Sequence, residues 1–249
     1  MKALFEKGLG VKNRASMRQS SAWGASSRGP ASRGSSSRGT STARGTLEQI
    51  ELPRAIFDQP LDPSMMTLIS AAQDRIQAFQ DRWDQPQIEQ FVASDYELVH
   101  RVLGWIVSQH LMMGSRMVEW GCGFAVAAAI GSRLGLDVFG IESEAILLKH
   151  ARRTLADFDT PVELVQGNFL PRGAESLSHN PDFPSLGHDV ENAYELIGLD
   201  LDDFALVYGY PWPGEHVFHQ AVFERYGATG GLLMLFCGPN DLRVWRKVK

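Results

Sequence analysis

The sequence predicts an α/β fold, a doubly wound, mostly parallel sheet with helices on both faces, and three observations predict it. From Arg116 onward, short apolar runs alternate with segments of helical period, which implies parallel strands joined by right-handed crossovers. The first of these strands gives way, at Glu119-Trp120-Gly121-Cys122-Gly123-Phe124-Ala125, to an alanine-rich helix, a junction built for close backbone approach to a ligand. The chain has 249 residues with 44% hydrophobic content, which is ordinary for a soluble globular protein and enough for one large domain or two small ones.

Taken in order, residues 1–46 are mostly Ser, Gly, Arg and Ala and have little to bury, so a disordered tail is expected. Arg-Gly recurs there at Arg28-Gly29, Arg33-Gly34, Arg38-Gly39 and Arg44-Gly45. Residues 47–63, punctuated by Pro53, Pro60 and Pro63, read as a linker to a domain spanning 64–249. That domain opens with helices within 64–111. Met66, Ile69, Ala72, Ile76 and Phe79 recur at helical spacing over Ser64 to Trp83, and Leu98, Val102, Trp105, Ile106 and Leu111 do so after Asp95.

The alternating core follows: strand Arg116 to Trp120, helix Phe124 to Leu134, strand Asp137 to Glu142, helix Glu144 to Phe158 and strand Val162 to Gln166. Ser143 is the expected N-cap of the second of these helices, and Ile146, Leu147, Ala151 and Leu155 its buried stripe. The prolines and glycines between Leu170 and Leu201 predict a long loop, then a short helix around Val190 to Ile197. Strand Phe204 to Tyr208, helix Glu215 to Tyr226, strand Gly231 to Cys237 and one further strand, Leu242 to Val248, complete the pattern.

Composition excludes several classes. Residues 1–46 carry nine Lys/Arg against the single acid Glu6, a balance of +8 in a chain of net charge −5, so a basic tail precedes an acidic body of −13. No apolar run approaches the ~18 to 20 residues of a membrane span, and the N-terminus lacks the apolar core of a secretory signal. A cytoplasmic protein without membrane partners is the expectation. Cys122 and Cys237 lack metal-pair spacing and disulfide-scaffold density, and His216 and His219 have no third ligand at suitable spacing, so no metal site is expected. The tail can contact phosphate backbones as a flexible cation, although a plain solvated tail explains it as well.

Two nucleotide-binding readings compete at the glycine turn. A dinucleotide fingerprint requires a third glycine where Val126 stands. The spacing Gly121, Gly123, Ala125, with Glu119 two residues before the first glycine, instead resembles motif I of the class I S-adenosylmethionine-dependent methyltransferases. Phe139-Gly140-Ile141-Glu142 is similar to the family's second motif, and Gln166-Gly167-Asn168-Phe169 to its third. The resemblance covers roughly residues 95 to 240. It implies a Rossmann-like methyltransferase fold with S-adenosylmethionine as cofactor. Glu119 would lie near the methionine part, Glu142 would accept the ribose hydroxyls, Asn168 would bind the adenine amino group, and Phe169 would pack on the adenine face. Tyr96, at the start of the helix before the first strand, would border the same ligand. Each residue also has a plainer reading: Glu119 and Glu142 as strand-end acids, Asn168 as a turn former, Phe169 as core.

After the fourth strand of the alternating core, Tyr208-Gly209-Tyr210-Pro211-Trp212-Pro213-Gly214-Glu215 stands where the family places substrate and catalytic groups. Tyr208, Trp212 and Glu215 are the catalytic candidates. A rigid strand-to-helix turn, with Glu215 serving the helix dipole, is the structural alternative. The segment lacks the carboxylate or amide of the Asn/Asp-Pro-Pro-Tyr/Trp motif of amino-group nucleic-acid methyltransferases, so nucleobase methylation is not favoured. A methyltransferase with an unidentified small-molecule or protein acceptor is the leading reading. An NAD-binding oxidoreductase and a non-catalytic nucleotide-fold protein acting on RNA through its Arg-Gly tail are the rivals. Only Leu242 to Val248 follows the fifth strand, where the family adds an antiparallel hairpin, so the sheet is expected to be abbreviated or its edge covered by a partner.

Overall fold

A computed structural model describes residues 47–82, 91–174 and 190–249. The Arg-Gly tail, Trp83, His179 and His188 lie outside the described residues. The elements are β1 (Leu47–Ile50), α1 (Pro63–Gln80), α2 (Tyr96–Ser108), β2 (Arg116–Trp120), α3 (Val126–Arg133), β3 (Asp137–Glu142), α4 (Ala145–Asp157), β4 (Glu163–Gln166), α5 (Ala193–Ile197), β5 (Leu206–Gly209), α6 (His216–Tyr226), β6 (Leu232–Gly238) and β7 (Asp241–Lys247). Short 3-10 turns at Arg54–Ile56 and Leu201–Asp203 join some of them.

The strands form one seven-stranded sheet in the order β1-β7-β6-β5-β2-β3-β4. Strands β2 to β6 are parallel, whereas β7 runs antiparallel to both β6 and β1. Side chains alternate across it. Met117, Val138, Leu206, Tyr208, Leu232 and Met234 join the core with α1 to α4. Val118, Trp120, Phe139, Ile141, Val207, Leu233 and Leu235 join the core with α5 and α6. Helices thus cover both faces, the condition under which a parallel sheet buries its central strands. The architecture is the doubly wound, Rossmann-like α/β fold that the alternation predicts.

Two expectations about the sheet need correction. It is not abbreviated, because β7 is flanked by β6 on one side and by β1 on the other. The reading of residues 47–63 as linker misses β1, whose Leu47 to Ile50 pair with Lys247 to Val244. Four residues with only their ends half-buried carry no usable alternation, and the strand exists because β7 supplies its hydrogen-bonding partner.

The helical stripes are shifted by one residue in places. In α1, Asp62 caps the helix by accepting from the Ser64 and Met65 N–H groups at 2.7 and 3.3 Å, with Pro63 in the first position where its missing N–H costs nothing. That start turns Met65 into the core and leaves Met66 54% exposed. In α4, Leu148 is buried where Ile146 was expected, and Ile146 is exposed. Ser143 does not cap α4. The N-cap is Glu144, which makes no side-chain cap bond, and its N–H donates instead to Glu142 Oε1 at 3.0 Å.

Candidate functional site

Strand order reverses at β2, with β3 and β4 to one side and β5 and β6 to the other, and ligands bind open α/β sheets in the crevice beyond such a switch point. A cavity of about 390 Å³ lies there. The turn after β2, the ends of β3 and β4, and the segment after β5 line it, and Phe91, Val92 and Ser94 close it from the approach to α2.

The turn owes its shape to three left-handed residues, Gly121 (φ 65), Gly123 (φ 53) and Ala125 (φ 57). A non-glycine residue in this region is strained, so the alanine at the third small position holds a conformation that glycine adopts freely. The Ala125 N–H donates to Cys122 O at 2.6 Å, and the Cys122 N–H ties the turn to Ile141 O of β3 at 2.9 Å. Gly123 permits an equally close approach. A Cβ built there would stand 2.6 Å from Cε2 of Phe91, whose ring stacks on Phe124 at 5.1 Å.

Ala125 sits at the N-cap of α3 and has no side chain with which to cap it. Glu119 does so from the neighbouring strand, its Oε2 accepting the Ala128 N–H at 2.7 Å. Burial pushes the Glu119 carboxyl up to about 8, with the nearby Glu142 adding and the Ala128 bond opposing. Glu142, at the end of β3, is also buried and faces the same cavity. Its Oε2 accepts the Gly123 N–H at 2.8 Å and its Oε1 the Glu144 N–H, so the carboxylate is fixed in orientation. Burial raises its pKa, and those backbone bonds lower it.

Asn168 and Phe169 follow β4 and line the cavity as well. Asn168 is a turn former as well as a cavity residue. Its Oδ1 accepts the Leu170 N–H at 2.9 Å, while its backbone bridges Glu191 and Ala193 at 2.7 and 2.9 Å. Asn192 caps α5 through the Tyr194 N–H and donates to Leu170 O, which draws this turn against the helix. Phe169 stacks on Trp120 at 4.9 Å with an interplanar angle of 19°. The Trp120 indole N–H in turn donates to the buried Tyr194 hydroxyl at 2.8 Å.

Tyr96, Tyr208, Trp212 and Glu215 complete the lining. Tyr96 is buried at the first position of α2, and burial together with Glu119 raises its phenol above the usual range. Tyr208 is buried in β5, where its hydroxyl and Ser94 Oγ are 2.8 Å apart. Trp212 is 40% exposed at the rim, and Glu215 is buried at the N-cap of α6. All ten residues expected in the site therefore border one cavity.

His219, expected on a surface or in packing, is packed and lines the cavity as well. Its ring lies 5.5 Å from those of both Trp120 and Phe169, and it is only 4% exposed. Nδ1 is 3.0 Å from Glu215 O, an acceptor only, so Nδ1 carries the proton and Nε2 the lone pair. Burial lowers its pKa to about 4, which keeps the imidazole neutral. The sequence signal available was the spacing: His219 falls four residues after Glu215, on the same face of a helix.

The charge of the lining is one-sided. Glu119, Glu142, Glu144 and Glu215 face the cavity, and no Lys or Arg does so among the described residues. No group of three or more His, Cys, Asp or Glu is arranged to hold a metal ion, again among the described residues. No described helix is long and apolar enough to cross a membrane.

Solved structures similar to this chain include a methyltransferase from Geobacter sulfurreducens, 14% identical, with a TM-score of 0.44 over 76% of this chain and 92% of that one. An RNA methyltransferase from Salinibacter ruber, in complex with S-adenosyl-L-homocysteine, is 16% identical, with a TM-score of 0.43 over 63% of this chain and 92% of that one. A precorrin-6y C5,15-methyltransferase from Geobacter metallireducens is 20% identical, with a TM-score of 0.38 over 63% and 69%. No family model and no curated protein matches the chain.

Proposed function

We propose that the chain is an S-adenosylmethionine-dependent methyltransferase. One observation carries the reading: buried carboxylates already occupy backbone donors at the glycine turn and the start of α3. Glu142 takes the Gly123 N–H and Glu119 the Ala128 N–H. A dinucleotide would bring its pyrophosphate to this place, against donors already taken and the Glu142 carboxylate, with no Lys or Arg lining the cavity among the described residues to offset the charge. A ligand bearing ammonium and sulfonium charges meets the opposite field. The NAD-dependent reading is disfavoured on the same ground.

The residues present fit that cofactor. Glu142, fixed by Gly123 and Glu144, would receive the ribose hydroxyls. Glu119, buried and largely protonated near neutrality, would face the amino-acid end. Asn168 and Phe169, held by Asn192 and Trp120, would flank the base. When bound, the cofactor supplies an electrophilic methyl group on sulfur. The remaining work falls to the chain: Tyr208, Trp212 and Glu215 orient the acceptor, and the aromatic and proline walls exclude water. Alignment of acceptor and methyl carbon at ~3 to 3.5 Å supplies much of the rate in such reactions.

Calorimetry with S-adenosylmethionine, S-adenosylhomocysteine and NAD tests the reading. Saturable binding of the first two and none of NAD is the expected result. Tight NAD binding without affinity for the others overturns it.

A further inference from the structure

His219 lines the cavity, yet none of the roles proposed for cofactor or acceptor falls to it. Its ring is packed against three other parts of the fold. Trp120 of β2 and Phe169 of the turn after β4 each lie 5.5 Å away, and Cδ2 would stand 3.6 Å from a Cβ on Gly209, so the ring rests directly on the end of β5. The His219 backbone N–H and Nδ1–H both donate to the Glu215 carbonyl, at 3.1 and 3.0 Å, which fixes the tautomer.

Nε2 is left with the lone pair. It has no hydrogen-bond partner among the described residues, and it is not sealed in the interior, where His100 Nδ1 is the one side-chain nitrogen or oxygen left unpaired among those residues. The lone pair therefore opens on the cavity that the ring lines. Burial, which lowers the pKa to about 4, keeps this nitrogen bare near neutrality, so it accepts and does not donate.

Such an acceptor asks for one N–H or O–H group, and its surroundings indicate which. Trp212, 40% exposed, marks the rim, whereas His219 is buried against Phe169, the ring that flanks the base in the proposed arrangement. Glu142 and Glu119 already serve the ribose and the amino-acid end. The remaining donor is the exocyclic amine of the purine. Asn168, the residue that the resemblance matches to that amine, is engaged in its own turn, with Oδ1 accepting the Leu170 N–H at 2.9 Å and its backbone bridging Glu191 and Ala193.

We propose that His219 Nε2 receives the exocyclic amine of the cofactor's adenine and selects that base, while Asn168 braces the turn that carries Phe169. This rests on the methyltransferase reading. A base without the amine would leave the imidazole nitrogen buried and unpaired, the penalty by which a hydrogen-bonding site rejects an analogue lacking the donor.

The test uses the full chain and calorimetry with S-adenosylhomocysteine and its 6-desamino analogue, in which hydrogen replaces the exocyclic amine. The parent should bind the first about tenfold to a hundredfold more tightly. His219→Phe, which keeps a ring and removes the lone pair, should shrink that preference by weakening S-adenosylhomocysteine alone. His219→Gln, which restores an acceptor, should recover part of it. A measurement on the parent guards against a variant that fails to fold: with histidine 15N-labelled, the unprotonated Nε2 resonance of His219 should move on adding S-adenosylhomocysteine and far less on adding the analogue. Equal affinity of the parent for the two ligands, a preference undiminished in His219→Phe, or an Nε2 resonance that both ligands move alike overturns the role of His219 alone. Binding of neither ligand overturns the cofactor reading and this one with it.

Discussion

Substituting alanine for Gly121 and, separately, for Gly123 should give two different losses of stability, and the difference should equal the two contacts of one ring. Both glycines lie in the left-handed region, at φ 65 and φ 53, so each variant bears the same backbone penalty of about 1 to 2 kcal/mol. Each also gains about 0.4 to 1 kcal/mol from the lower entropy of the unfolded chain. Those terms cancel between the two. A Cβ at Gly121 meets nothing within 4 Å, whereas one at Gly123 lands 2.6 Å from Phe91 Cε2. The ring can retreat only by leaving its stack on Phe124 and its edge contact with Phe79, each pair being worth about 0.5 to 1.5 kcal/mol. Gly123→Ala should therefore cost about 1 to 3 kcal/mol more than Gly121→Ala. Urea unfolding of both variants, of Phe91→Ala and of Phe91→Ala with Gly123→Ala closes a double-mutant cycle. A coupling energy of about 1 to 3 kcal/mol is expected. Equal losses at the two glycines with no coupling to Phe91 would refute the reasoning, and with it the description of Phe91 as the cover of the turn.

Glu142→Gln should raise the dissociation constant for S-adenosylhomocysteine about tenfold to a hundredfold, the loss of about 1 to 3 kcal/mol of charge-assisted bonding, measured by calorimetry. An affinity within twofold of the parent would reduce Glu142 to a brace for the turn. The Glu119 carboxyl is raised from 4.5 to about 8 in the folded chain, so folding retains its proton, and its contribution is complete below 4.5 and lost as pH rises toward 8. Denaturant melts of Glu119→Gln between those limits should show a shallower fall in stability with pH than the parent, and parallel curves would contradict the burial argument. His219 has the opposite sign. Lowered from 6.5 to about 4, it favours the folded state above 6.5 and loses that advantage as pH falls toward 4, so His219→Phe should flatten the acid limb of the same curve.

Much of this molecule is legible in its sequence because local pattern and tertiary demand agree. Strands β2 and β3 have the boundaries that their apolar runs predict, since buried parallel strands are continuous in hydrophobicity. The acids closing them are identifiable for the same reason: a charge ending a buried strand marks the sheet's ligand edge. Features created by partners distant in the chain are not legible. Strand β1 carries no pattern of its own, being only four residues beside β7. The burial of His219 depends on Trp120 and Phe169, which come from other elements, so its spacing from Glu215 indicates a shared face but not that burial. The capping of α3 by Glu119 is of the same kind, because the cap lies on a strand rather than at the head of the helix.

The pairing of β1 with β7 also constrains the order of events in biosynthesis. Leu47–Ile50 emerges from the ribosome before any other described strand, yet its partner among them, Asp241–Lys247, emerges after all the others. Closing so long a loop is slow: β7 pairs locally with β6 across a tight turn, but its other edge and β1 stay unpaired until the long loop closes. Strand β1 thus stays unpaired until β7 has been made, the condition that invites pairing between chains. The charges spaced along the late strand, at Asp241, Arg243 and Arg246, are placed where they discourage such errors until β1 docks on it.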